Sequence, residues 1–200
     1  MPHLREMTKS IMDQQRTTLV LLSHCPAETV RIGRILGELL AAGDCVALVG
    51  ELGAGKTCLT QGIAQGLGIP AGYAVTSPTF TLLNEYPGGK TGLYHFDVYR
   101  LTGPADLAET GFEEYLSHDG VVVIEWADKI EQQVPEGALY IVLSILEENV
   151  RKVEISGPRG QVDSCAAILH SGRHLTSASD CEAPGGCPQN AQGKNTEGRP

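Results

Sequence analysis

The sequence predicts a mixed α/β fold, a β-sheet flanked by helices and edged by antiparallel hairpins. Three observations carry that expectation. Short apolar runs alternate with segments of helical period from residue 17 to residue 156. Two of these runs, residues 45–49 (CVALV) and 121–125 (VVVIE), are continuous rather than alternating, as in strands covered on both faces. Two later pairs of runs are joined by short turn-rich stretches, which makes part of the sheet antiparallel.

Taken in order, residues 17–22 form a β-branched and apolar strand. Pro26 suits the first turn of a helix. Ile32, Ile35, Leu36, Leu39 and Leu40 then follow the helical period, and Gly43 can cap its end. Residues 45–49 are the first buried strand. A Gly-rich loop and a helix over 56–67 follow, stopped by Gly68 and Pro70. Residues 80–86 and 93–99 read as a hairpin around the turn-forming stretch 87–92. Two short helices, 105–109 and 112–117, precede the second buried strand, 121–125. Residues 139–146 and 150–156 read as a closing antiparallel pair. The expected organisation is a flexible extension over 1–16, a folded domain over 17–156 and a disordered tail over 157–200. The tail is rich in Gly, Ser, Pro, Asn and Gln.

The chain has 200 residues, 15 basic and 24 acidic, and a net charge of −9. The segment from Gly157 onward is neutral, so the whole excess lies in residues 1–156. That balance argues against a protein that holds nucleic acid by charge, which needs basic patches to displace counterions. No apolar run approaches the roughly 20 residues of a membrane span. The early run 19–22 is too short for a signal-peptide core, so a cytoplasmic location is expected. Cys25, Cys45 and Cys58 form no CxxC pair. The spacings of Cys165, His170, His174, Cys181 and Cys187 match no zinc module.

Residues 50–57, GELGAGKT, match G-x-x-x-x-G-K-[ST] in full, between an apolar strand and a helix. The glycines let backbone N–H groups turn inward around a phosphate, and the helix N-terminus adds its positive end. Lys56 supplies a point charge for the β and γ phosphates, and Thr57 a hydroxyl for Mg²⁺. Such a loop needs an acid near the metal. Glu125, at the end of the second buried strand, is the candidate. Asp97 lies in HFDVYR, where alternation puts His95, Asp97 and Tyr99 on one face. Asp97 can orient or deprotonate an attacking water. His95 reads more readily as a hydrogen-bonded structural histidine, and Arg100 equally as an ion-pair partner. The hydroxyls of residues 76–79 (TSPT) suit either γ-phosphate sensing or ordinary turn chemistry.

In combination, GELGAGKT, VTSPTFTLLNEY, LYHFDVYRL, GFEEYL and VVVIEWADKI, in that order, resemble one family. It is the bacterial ATPase of tRNA threonylcarbamoyladenosine biosynthesis, the TsaE (YjeE) family. The resemblance covers residues 19–156. It implies a weak ATPase acting with partners of the TsaB and TsaD families, whose complex modifies adenosine 37 of tRNAs reading ANN codons. The ATPase would not transfer the threonylcarbamoyl group; it would drive or reset the partner complex and touch tRNA only through it. Position by position, the resemblance implies that Leu52, Gly53, Ala54, Gly55, Lys56 and Thr57 contact the triphosphate. Thr57 and Glu125 serve Mg²⁺. Residues 76–79 form a switch-like segment, and Asp97, Lys56 and Thr79 carry hydrolysis. Trp126 lies near the nucleotide, packing on the base or ribose, and Arg151 near the adenine.

Two other readings remain at this stage. A small-molecule phosphotransferase on the same fold would need a basic lid, whereas the stretch 104–120 is acidic. A nucleotide-gated interaction module would bind ATP with no catalytic role. A GTPase would need NKxD, for which residues 127–130 (ADKI) are a poor substitute.

Overall fold

A computed structural model describes residues 16–102 and 104–170. The expectations for the extension before Arg16 and for the tail beyond His170 lie outside the described residues. Among the described residues seven strands form one sheet: β1 Arg16–Ser23, β2 Cys45–Val49, β3 Leu83–Tyr86, β4 Gly92–Asp97, β5 Gly120–Glu125, β6 Leu139–Ile145 and β7 Arg151–Pro158. The helices are α1 Pro26–Leu39, α2 Lys56–Leu67, α3 Pro104–Ala108, α4 Phe112–Tyr115 and α5 Arg159–His170, with a 3-10 helix over Ala127–Gln133.

The sheet order is β1-β7-β6-β2-β5-β4-β3. β6, β2, β5 and β4 run parallel, while β1, β7 and β3 are antiparallel to their neighbours. The expected mixed sheet is therefore present, with a parallel centre. Period-two alternation sends Val46, Leu48, Val121 and Val123 into one core, which contains Ile35, Leu36, Leu59 and Ile63 of α1 and α2. Cys45, Ala47, Val122 and Ile124 enter a second core on the opposite face, with Phe96, Phe112 and Ile130. Two covered faces explain why β2 and β5 are apolar without interruption.

Helix α1 lies against α2 at the separation only glycine allows. A Cβ on Gly33 would stand 2.2 Å from Leu59 O, and one on Gly37 2.2 Å from Ile63 O. The reciprocal glycines of α2 are as tight. A Cβ on Gly62 would meet Val30 O, and one on Gly66 would meet Arg34 O, each at 2.0 Å. Four glycines, spaced by four on each helix, thus bring two backbones into contact. Helical period alone gave no sign of this seam.

Two expectations are corrected. The first strand of the hairpin begins at Leu83, not at residue 80. Pro78 O accepts the N–H groups of Thr81 and Leu82, and Leu82 adopts φ 65, so residues 79–82 turn instead of extending. Phe80 is consequently 81% exposed. The ordered domain also continues past 156. β7 reaches Pro158, and α5 follows, where composition suggested disorder. Val162 and Cys165 of α5 are buried, and Ile168 and Leu169 pack on the same core. Spacings of three and four put these residues on one helical stripe, which a Gly/Ser-rich composition concealed.

Gly62→Ala is expected to destabilise the protein by about 1–3 kcal/mol despite alanine's better helix propensity, because the clash is with backbone. Thermal denaturation should show a drop of several degrees. An unchanged midpoint would mean that the helices separate freely.

Candidate functional site

The site is assembled where three parallel strands end together. Leu48 of β2 pairs with Glu125 of β5, and Glu125 pairs with Asp97 of β4. The chain leaves β2 through residues 50–55 and enters α2 at Lys56. Gly55 is the N-terminal cap of α2 at φ 103, a left-handed conformation that favours glycine. A Cβ on Gly50 would lie 2.5 Å from Leu143 O, so β6 packs directly under the loop.

Lys56 is buried, and its ammonium is caged. Nζ donates to Gly50 O at 2.7 Å and to Glu51 O at 3.0 Å, and stands 3.5 Å from the centre of the Trp126 ring. Burial lowers the Lys56 pKa below its usual value. The negative charges of Glu125, Asp97, Asp128 and Glu51 act in the opposite direction. Trp126 follows β5 at φ 63 and leans on Tyr99, with ring centroids 4.8 Å apart.

Thr57 and Glu125 meet directly. Thr57 Oγ1 donates towards both carboxylate oxygens, at 2.8 Å to Oε1 and 3.1 Å to Oε2. His95 Nε2 lies 2.9 Å from the same Oε1. His95, Asp97 and Glu125 are all buried, at 0%, 2% and 3% exposure. Asp97 Oδ2 accepts from Ser77 Oγ at 2.5 Å and Thr79 Oγ1 at 2.7 Å, and Oδ1 accepts from Tyr99 N–H at 3.0 Å. The strand ends at Asp97, so Tyr99 does not share the buried face with His95 and Asp97 as alternation suggested. It is 46% exposed.

The 75–79 segment is tied at two levels. Ser77 and Thr79 engage Asp97. Farther back, Gln61 of α2 donates to Val75 O at 3.0 Å, Asn84 donates to Thr76 O at 3.2 Å, and Thr76 N–H donates to the Tyr86 hydroxyl at 3.3 Å. Motif spacing did not identify Gln61, Asn84 or Tyr86. Their roles arise from tertiary contacts. Arg100 sits over the Phe80 ring at 4.3 Å and makes no acid pair among the described residues.

Arg151 reaches the loop from the far side. Its Nη1 donates to Glu147 O, Glu148 O and Val150 O at 3.0–3.1 Å, and its Nη2 to Gly53 O at 3.4 Å. It thereby joins the β6–β7 turn to the Gly-rich loop. Leu52, at the crest, is 81% exposed.

Thr57 and Glu125 together offer hard oxygen donors beside a helix N-terminus. Among the described residues there is no cluster of three or more His, Cys, Asp or Glu able to hold a metal. A hydroxyl and one carboxylate suit Mg²⁺ that takes its remaining ligands from phosphates and water, not from an all-protein cage. Among the described residues no helix is long and apolar enough to cross a membrane.

Comparison with known proteins adds an independent line. Residues 23–153 match the family model described as threonylcarbamoyl adenosine biosynthesis protein TsaE. The chain is 42% identical over 135 residues to a tRNA threonylcarbamoyladenosine biosynthesis protein TsaE from Treponema pallidum, covering 68% of this chain and 98% of that protein. A Bacillus subtilis protein of the same name is 41% identical over 128 residues, covering 64% of this chain and 78% of the other. The crystal structure of Bacillus subtilis YdiB superposes with a TM-score of 0.64 at 33% identity, covering 78% of this chain and 96% of that one.

The depressed Lys56 pKa has a stability consequence with a definite sign. Between the lowered value and the ordinary 10.5, the unfolded chain binds more protons at this residue than the folded one does. The parent should therefore gain stability relative to Lys56→Met as pH rises towards 10.5. Melting curves of both proteins across that range decide it. A difference independent of pH would contradict the buried-charge account.

Proposed function

The chain belongs to the TsaE family of threonylcarbamoyl adenosine biosynthesis proteins, and on that premise we propose that it is the ATPase of tRNA threonylcarbamoyladenosine formation. It binds ATP with Mg²⁺, hydrolyses it slowly, and uses the cycle to drive or reset a cytoplasmic complex of TsaB-like and TsaD-like proteins. Contact with tRNA passes through that complex. The observation that carries this reading is the Thr57–Glu125 hydrogen bond, between residues 68 positions apart. It brings the hydroxyl of the Gly-rich loop's motif to the acid that the same chemistry requires.

The roles follow from placement. The backbone of residues 52–57 and the N-terminus of α2 cradle the phosphates. Lys56 exchanges its two loop carbonyls for phosphate oxygens. Thr57 and Glu125 would hold Mg²⁺, which would supply neutralisation of phosphate charge. Trp126, beside Lys56, and Arg151, tied to Gly53 O, flank the loop near where the base and ribose would lie. Asp97 positions the attacking water, assisted by Thr79 of the switch-like segment. Both Asp97 oxygens already accept hydrogen bonds from that segment and its neighbour Tyr99. Hydrolysis therefore awaits a rearrangement of Ser77 and Thr79, which accords with a slow, partner-responsive ATPase better than with a free-running one.

Lys56→Ala should weaken ATP binding about 100-fold or more, because it removes a buried charge from the phosphate contacts. Asp97→Ala should leave binding within a few-fold and slow hydrolysis about 100-fold, as expected for loss of a group acting on the attacking water. Titration calorimetry and phosphate release measure the two separately. In a reconstituted reaction with TsaB-like and TsaD-like partners, tRNA, ATP and threonylcarbamoyl-adenylate, repeated rounds of modification should require Lys56. Full modification without this protein would refute the biological role and leave ATP binding intact.

A further inference from the structure

We infer that His95 is a positioning residue for the metal-binding carboxylate, holding Glu125 so that a defined oxygen faces the Gly-rich loop. The inference rests on the ATP–Mg²⁺ reading above and extends it to a residue outside the loop motif. His95 lies in β4 opposite Val123 of β5, two positions before Glu125, on the face that α2 covers. Its imidazole is fully buried. One ring nitrogen, Nε2, meets Glu125 Oε1 at 2.9 Å, and the other, Nδ1, is buried with no hydrogen-bond partner among the described residues.

That imbalance is informative. A buried polar atom without a partner costs roughly 1–3 kcal/mol. An aliphatic side chain would fill the same core space without the cost. The imidazole's one polar contact is therefore its reason for being there. A carboxylate only accepts, so in this contact Nε2 is the donor and Glu125 Oε1 the acceptor. The two oxygens of Glu125 are thereby made unequal. Oε1 accepts from both His95 and Thr57, whereas Oε2 accepts only the longer bond from Thr57. Were Thr57 to turn its hydroxyl towards a metal, Oε1 would keep its bond to His95 while Oε2 would lose its one donor. Partners of this kind orient ligating carboxylates and raise metal affinity.

The test is a MgCl₂ titration of the full chain with a non-hydrolysable ATP analogue, followed by calorimetry, with EDTA as the metal-free baseline. The parent is compared with His95→Leu, His95→Gln and His95→Asn, each checked by thermal melting. Gln reaches Oε1 with an amide N–H; Asn is too short. His95→Leu and His95→Asn should raise the Mg²⁺ half-point about 10–100-fold, while His95→Gln stays within about threefold of the parent. Affinity for the analogue in EDTA should be unchanged in all. A folded His95→Leu with the parent's half-point overturns the proposal. So does a Gln variant as impaired as Leu, since packing alone would then matter. If His95→Leu does not fold, the Gln–Asn pair decides, and equal half-points overturn it. A parent that binds no ATP analogue refutes the ATP reading and this proposal together; a parent that binds with metal-insensitive variants refutes this proposal alone.

Discussion

The site depends on register. Leu48, Glu125 and Asp97 stand level across β2, β5 and β4, so the strand feeding the Gly-rich loop ends beside two acids on one face. Side chains alternate along a strand, and a slip of one residue would turn Glu125 or Asp97 into the opposite core. Apolar β5 residues enforce the register by filling both cores in alternation. The buried sheet that stabilises the fold therefore also places the chemistry. Thr57 and Lys56 are brought to these acids by the short loop, with Gly55 making the turn into α2.

The loop's rigidity has its own supports. Helix α2 is backed by α1 through four glycines whose backbones nearly touch, which fixes how far its N-terminus can move from the sheet. From the other side, β6 packs under Gly50, and Arg151 ties the β6–β7 turn to Gly53. The segment carrying Ser77 and Thr79 is held differently. Its rear is anchored to α2 and β3 by Gln61, Asn84 and Tyr86, while its front is held by hydroxyl bonds to Asp97. Hydroxyls exchange partners readily, so the front is the part suited to respond to a phosphate.

Much of this was legible from residues alone, for physical reasons. Residues 50–57 obey a spacing set by phosphate geometry, and Glu125 and Asp97 are acids ending apolar strands. Both kinds of signal are local. What escaped is non-local or masked by composition. The pairing of His95 with Glu125 requires knowing that β4 and β5 are adjacent and in which register. The glycines of α1 and α2 weaken a helix in isolation, and only their apposition shows their use. Helix α5 has three or four apolar residues on one stripe amid Ser, Gly and Ala, too few to stand out. Phe80 favours a strand by type, yet the hydrogen bonds to Pro78 O bend the chain there.

The sheet joins its first strand to its last. β1 pairs only with β7, and Thr18 bonds Ser156 across 138 positions. During synthesis β1 emerges first, yet its partner emerges only after every other strand has been made. The parallel centre can pair while β1, with its exposed Val20 and Leu22, waits as an unpaired strand. Such long-range closure is slow, and an idle apolar strand is open to wrong partners in the interval. The longer residues 24–150 take to emerge, the longer β1 goes without the strand that covers its edge.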